Sequence, residues 1–180
     1  MMRLLKRFRR DKKGVSAVEF ALIAPILIAS YFGLAEMCGA MLAERKASLI
    51  ASEIGDLVAQ GTTINTAGIT DIFAVATTVM QPLPTTTLNM RISCITAEST
   101  DKIFTVSWTK SQGNWSTTLA QGNTVTVPAG LLAANASIIR SEVQYTYTSP
   151  VSDFIKTPLT FNETFYLVPR QSTTVSWVAP

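Results

Sequence analysis

The sequence contains no histidine and only two cysteines, Cys38 and Cys94. Without an imidazole there is no His-assisted serine or cysteine nucleophile, no imidazole general base and no His-ligated zinc, and two thiols cannot make a four-thiolate metal site. A Walker loop, a dinucleotide fingerprint and a nucleophile elbow are absent as well. What remains for acid–base work is a carboxylate pair such as Glu98 and Asp101, and acidic side chains at a strand-to-strand turn are ordinarily solvated. The expectation is a protein that is not an enzyme and needs neither cofactor nor metal. Charge is scarce too, at 15% of residues. No internal repeat, charge block or long low-complexity tract interrupts the chain.

The charges that exist are unevenly placed. Met1 to Lys13 carries seven cations (Arg3, Lys6, Arg7, Arg9, Arg10, Lys12, Lys13) against one anion, Asp11. After Gly14 there are eight cations and eleven anions, a net charge of −3, so the basic overall balance reports the leader and implies no nucleic-acid surface. Phe20 to Ala35 then runs for sixteen residues without a charge. The window Val15 to Ala35 reaches about 31 Å at 1.5 Å per residue, enough to cross a bilayer's hydrocarbon core. With cations on the N-terminal side alone, Met1 to Lys13 is placed in the cytoplasm and everything beyond about Cys38 across the membrane. A cleaved secretory signal fits poorly: Glu19 breaks the apolar region near its start, and Glu36 stands where small residues should precede cleavage.

Glu19 costs about 2.5–3.5 kcal/mol at mid-membrane on insertion scales, less near an edge, so it is either an interfacial carboxylate or a functional one. Its surroundings are specific. Gly14, then Glu19 as the fifth residue after it, then Phe20 and Pro25 resemble the prepilin signature of TadE-like minor pilins of the tight-adherence (Flp) system. The resemblance covers about thirty residues. It implies a membrane-embedded prepilin peptidase cutting between Gly14 and Val15, with Val15 as the mature N-terminus. It also implies partners: the major Flp pilin, other TadE- and TadF-like minor pilins and the Tad assembly platform. Major Flp pilins are far shorter and usually have Tyr after the glutamate, so Phe20 and the long downstream region favour the minor-pilin side.

Physical reasons accompany each element. Glycine lets the scissile peptide adopt an extended shape and approach catalytic groups closely. After cleavage Val15 would carry a free ammonium, and Glu19, one turn away, would offer it a carboxylate on the same or a neighbouring subunit. Such a buried pair can set the stagger of neighbouring helices. Pro25 removes one helical hydrogen bond, which a membrane segment tolerates.

Beyond the membrane, Glu44, Arg45, Lys46, Glu53 and Asp56 interleave with Leu42, Leu49, Ile50, Ile54, Leu57 and Val58 at helical spacing, and Gly61 ends the pattern. The reading is one rod from residue 15 to 60, near 69 Å long at about 1.5 Å per residue. A second helix is expected over Thr66 to Met80, stopped by Gln81-Pro82-Leu83-Pro84. Strands are read at Leu88–Cys94, Phe104–Trp108, Val125–Val127 and Val143–Tyr147, with turns at Gln112-Gly113-Asn114 and Gln121-Gly122-Asn123. Thr164–Val168 and Thr173–Trp177 are further strand candidates. The fold class is α+β, with a basic leader over 1–14, a transmembrane and stalk helix over 15–60 and a periplasmic α+β domain over 61–180 made of the second helix and a small antiparallel sheet.

Cys38 and Cys94 both fall on the oxidising side, so either a disulfide tying stalk to sheet or two buried free thiols is consistent with the sequence. Trp108, Trp115, Tyr145, Tyr147 and Trp177 are read as core rather than as an adhesive surface. Two functions stay open: a processed minor pilin of the bacterial inner membrane, oriented N-in and C-out and used to initiate or cap a pilus for surface adhesion, or a permanently anchored periplasmic binding or sensing domain.

Overall fold

The structure, a computed structural model, describes residues 14–97, 103–131, 133, 135–150 and 156–179. The basic leader before Gly14 and the carboxylates Glu98 and Asp101 lie outside the described residues.

Helix α1 spans Val15–Ala59, forty-five residues, and its two halves differ because their sequence periods differ. Up to Leu34 the helix is apolar on every side and exposed; no residue in its most apolar eighteen-residue window is buried. From Glu36 onward one stripe of the helix turns inward, while Met37, Met41, Leu42, Leu49 and Leu57 stay exposed. Ala40, Ala43, Ala47, Ile50, Ile54 and Val58 repeat at three- and four-residue spacing, and all are buried. The alanines keep this face thin, so the helix lies close against what it covers. Ile50, Ile54 and Val58, each 1% exposed, contribute about 1.5–3 kcal/mol apiece on burial.

What α1 covers is a five-stranded antiparallel sheet in the order β4-β3-β2-β5-β6. Its strands are β2 (Leu88–Ala97), β3 (Phe104–Gln112), β4 (Thr124–Val125), β5 (Ser137–Tyr147) and β6 (Leu159–Leu167). The register pairs Met90 with Val143 and Cys94 with Ile139 across β2 and β5, and Tyr145 with Phe161 across β5 and β6. One face of the sheet supplies Met90, Ile92, Cys94, Trp108, Ile139, Val143, Tyr145 and Tyr147 to the same core as the alanine stripe. The opposite face is largely polar: Arg91 forks onto Glu142 at 2.7 and 2.9 Å and stacks at 4.3 Å over Trp115.

Two glycines fix the path of α1. A Cβ at Gly39 would fall 2.5 Å from Tyr147 Oη, and one at Gly55 would collide with Leu167 and stand 3.0 Å from Ser141 Cβ. Rising residue number in α1 therefore runs toward falling residue number in β5. The two elements are antiparallel, with Gly39 and Tyr147 at one end of the sheet.

Helix α2 (Thr66–Met80) begins where Asn65 accepts a hydrogen bond from the Gly68 N–H at 2.9 Å, and buries Ile69, Phe73, Ala76 and Met80. Its far end is held to α1 by Lys46, whose Nζ donates to the carbonyls of Val79 (2.6 Å) and Gln81 (2.7 Å). Both ends of this helix coincide with the sequence expectation. The strand expectations hold in position but not in length. β5 starts six residues earlier than Val143, and β6 starts five before Thr164.

The C-terminal segment departs further. Only Ser176–Trp177 (β7) is strand, and it pairs in parallel with Thr63–Ile64 (β1), a pair the alternation pattern gave no sign of. This segment closes the end of the core away from Gly39. The Arg170 N–H donates to Ala59 O at 2.9 Å, Trp108 Nε1 to Val175 O at 2.7 Å, and the Val178 N–H to Ile64 O at 2.9 Å.

Candidate functional site: the bare half of the long helix

Gly14 stands at the N-terminus of α1 with φ −86° and ψ −14°, without a side-chain cap. Among the described residues, no atom beyond its chain neighbours and its own helix backbone lies within 4 Å of the place its Cβ would occupy, so the folded domain does not cover Gly14. Its conformation is helical rather than extended. A protease that needs an extended bond must open the first turn, where amides lack intrahelical partners and unwinding is easiest.

Val15 is 51% exposed and Phe20 70% exposed, and Glu19 between them has no hydrogen bond or ion pair among the described residues. Val15 and Glu19 are four residues apart and share one face of the helix. Around them Leu22, Ile23, Ile26, Leu27, Ile28 and Tyr31 point outward in all directions. A helix that is apolar all round requires an apolar solvent or other helices. Pro25 lies within it, and the helix continues through it.

The first buried side chain of α1 is Glu36, 4% exposed. Tyr147 sits beside it, and burial together with the Glu36 carboxylate raises the pKa of its phenol above the usual 10. In the sequence Glu36 stands out only as an obstacle to signal cleavage. The signal that places it was present, since residues 36, 40, 43 and 47 form one helical stripe with the buried alanines.

The two cysteines are not joined. Both are free, Cys38 exposed on α1 and Cys94 buried on β2. The geometry gives the reason. Cys38 is next to Gly39, level with Tyr147, whereas Cys94 pairs with Ile139, eight residues further along β5. At about 3.3 Å per strand residue that is roughly 26 Å, against the 4.4–6.8 Å that a disulfide spans. Cys94 would have had to lie low on the sheet, and it lies high, 3.7 Å from the Thr174 hydroxyl. Burial raises its pKa, countered in part by hydrogen bonds from Thr174, Ser137 and the Val175 backbone.

Trp108, Tyr145 and Tyr147 are buried, and Trp177 packs 5.9 Å from Trp108 with Lys110 above it at 4.1 Å. These aromatics build the core. Three surface concavities of 230, 260 and 290 Å³ lie at Ile64, Asn135 and Asp56, below the range usual for a small-molecule site. Among the described residues no group of three or more acidic or cysteine side chains is placed to hold a metal ion. The chemistry of the site is therefore that of a surface: an accessible peptide bond, one carboxylate and an apolar cylinder.

No curated protein and no solved structure matches the chain. Residues 14–55 match the family model described as TadE-like protein. That family is associated with the Tad pilus and is generally non-enzymatic. The matched segment holds Gly14, Glu19, the apolar cylinder and most of the alanine stripe, and over that segment the chain is similar to TadE-like proteins.

Proposed function

We propose that the protein is a minor pilin of a Flp-type pilus, cut after Gly14 by a prepilin peptidase and used to initiate or cap the filament. The observation that carries this reading is the division of α1. One half is bare and apolar with a glycine at its tip, and the other half is built into a folded domain. A pilin subunit needs both, because the bare half must pass from lipid into a bundle of like helices while the domain stays folded outside.

On this reading residues 1–14 are a cytoplasmic leader, residues 15–60 anchor the protein in the bacterial inner membrane with N-in, C-out topology, and the sheet domain is periplasmic. Cleavage exposes the Val15 ammonium, and Glu19 pairs with it in the same or an adjacent subunit. Phe20 and its apolar neighbours face the major pilin, other TadE- and TadF-like subunits or the assembly platform. The competing reading is a permanent anchor for a binding or sensing domain.

Intact mass separates the two. Protein purified from cells containing the peptidase should lack residues 1–14 and begin at Val15. A full-length mass there leaves only the permanent anchor.

A further inference from the structure

We infer that the sheet domain sits directly on the outer leaflet, its membrane-proximal end in contact with phospholipid headgroups, with no free length of helix between. The inference rests on the reading of residues 15–34 as the membrane span. Twenty helical residues reach about 30 Å, the thickness of the hydrocarbon core, and each headgroup layer adds roughly 5–7 Å. Residues 35–39 cover about 7.5 Å at 1.5 Å each, so Gly39 emerges at the outer rim of the headgroups. The domain is already there: Glu36 is buried and Tyr147 Oη rests on Gly39.

The rest of that end follows by register. Leu159 pairs with Tyr147, and Thr87 Oγ1 donates to Thr146 O at 2.6 Å, which brings the start of β2 to the same level. Leu159 is 38% exposed, and Thr86, Pro158 and Lys156 are exposed. Exposed Leu159 offers apolar surface to the edge of the lipid, and Lys156 supplies a cation for phosphate oxygens. At the opposite end, Asn123 O accepts from Val106 N–H, level with Ile138, nine residues from Tyr147. That puts it roughly 30 Å further out at about 3.3 Å per strand residue.

The test uses the full chain in phosphatidylcholine vesicles, with Cys38→Ser leaving only the buried native thiol. A fluorophore is attached at Leu159→Cys, Thr86→Cys, Asn123→Cys or Ile26→Cys. Lipids carrying a nitroxide on the headgroup should quench the label at 159 and at 86 several-fold more than the label at 123, and acyl-chain nitroxide should quench the label at 26. Equal headgroup quenching at 159, 86 and 123, with 26 still quenched by the acyl probe, would overturn the seated domain and leave the span intact. A label at 26 that the acyl probe does not reach would remove both. Using two labels at the base guards against local disturbance by either substitution.

Discussion

Lys46→Met tests whether α2 is pinned to the long helix by one ammonium. In the structure Nζ donates to Val79 O at 2.6 Å and to Gln81 O at 2.7 Å, both at the end of α2 where carbonyls lack helical partners and the helix dipole is negative. Hydrogen bonds involving a charged group are worth about 1.5–3 kcal/mol, but this site is only partly buried and water replaces some of the loss. Methionine keeps the aliphatic stem and has nearly the same helix propensity, so packing and backbone terms cancel. The expected destabilisation is about 1–3 kcal/mol. Urea denaturation of the full chain in detergent micelles, followed by the fluorescence of buried Trp108, measures it. Arg45→Met, on an exposed neighbouring position, should stay within about 0.5 kcal/mol. If the two variants unfold at the same urea concentration, the ammonium does not clamp α2 and the argument from its geometry fails.

Gly14→Trp should leave the leader attached, read by intact mass, because the open space at Gly14 is what lets a peptidase approach; cleavage at the normal rate would refute that. Glu19→Val should remain membrane-bound and processed but be lost from material that co-purifies with the major pilin, and undiminished recovery would reduce Glu19 to an interfacial carboxylate. Alkylation at pH 8 should modify Cys38 alone until denaturant is added, since burial shields Cys94 and raises its pKa; two modified thiols in the native protein would contradict the placement of β2. Tyr147 has a raised folded pKa, so it favours the folded state fully below pH 10 and that contribution falls away as pH climbs past 10; Tyr147→Phe should flatten the loss of stability above pH 10, and an unchanged slope would count against the buried phenol beside Glu36.

Much of this architecture was legible wherever one period dominated. The uninterrupted apolar run gave the bare half of α1, and Gln81-Pro82 marked the end of α2. Strand interiors with strict alternation were read correctly, but their ends were not. Ile138 and Ile139 are adjacent apolar residues that break the alternation, because one faces the main core and the other a small second cluster with Ile95 and Val127. Leu159 to Glu163 reads as polar because β6 is an edge strand half open to solvent. The β1–β7 pair is two residues long and parallel, held by contacts more than a hundred residues apart in sequence. No local pattern encodes it. For the site, Gly14 and Glu19 were visible as a spacing, whereas the separation of Cys38 from Cys94 depends on the direction in which α1 crosses the sheet, which Gly39 and Gly55 set through contacts absent from the sequence.

The bare half of α1 also limits how the protein can act. Eleven large apolar side chains between Val15 and Leu34 are exposed, each at 41% or more. At about 1.5–3 kcal/mol per side chain, holding them in water costs roughly 15–30 kcal/mol, more than the 5–15 kcal/mol by which an ordinary domain is stable. The helix therefore never stands free in water, and any exit from lipid has to be directly into other apolar helices. Against that total the 2.5–3.5 kcal/mol cost of Glu19 is small and does not decide whether the segment inserts. It does decide where an unpaired carboxylate is tolerated. In a sheath of apolar helices a charged Glu19 is stabilised by a cation opposite it, and the one cation that cleavage creates in this part of the chain is the ammonium of Val15, a turn away on the same face. On the proposed reading, processing and assembly are thus coupled through a single ion pair: an uncut subunit brings the carboxylate into the bundle without the charge that would neutralise it.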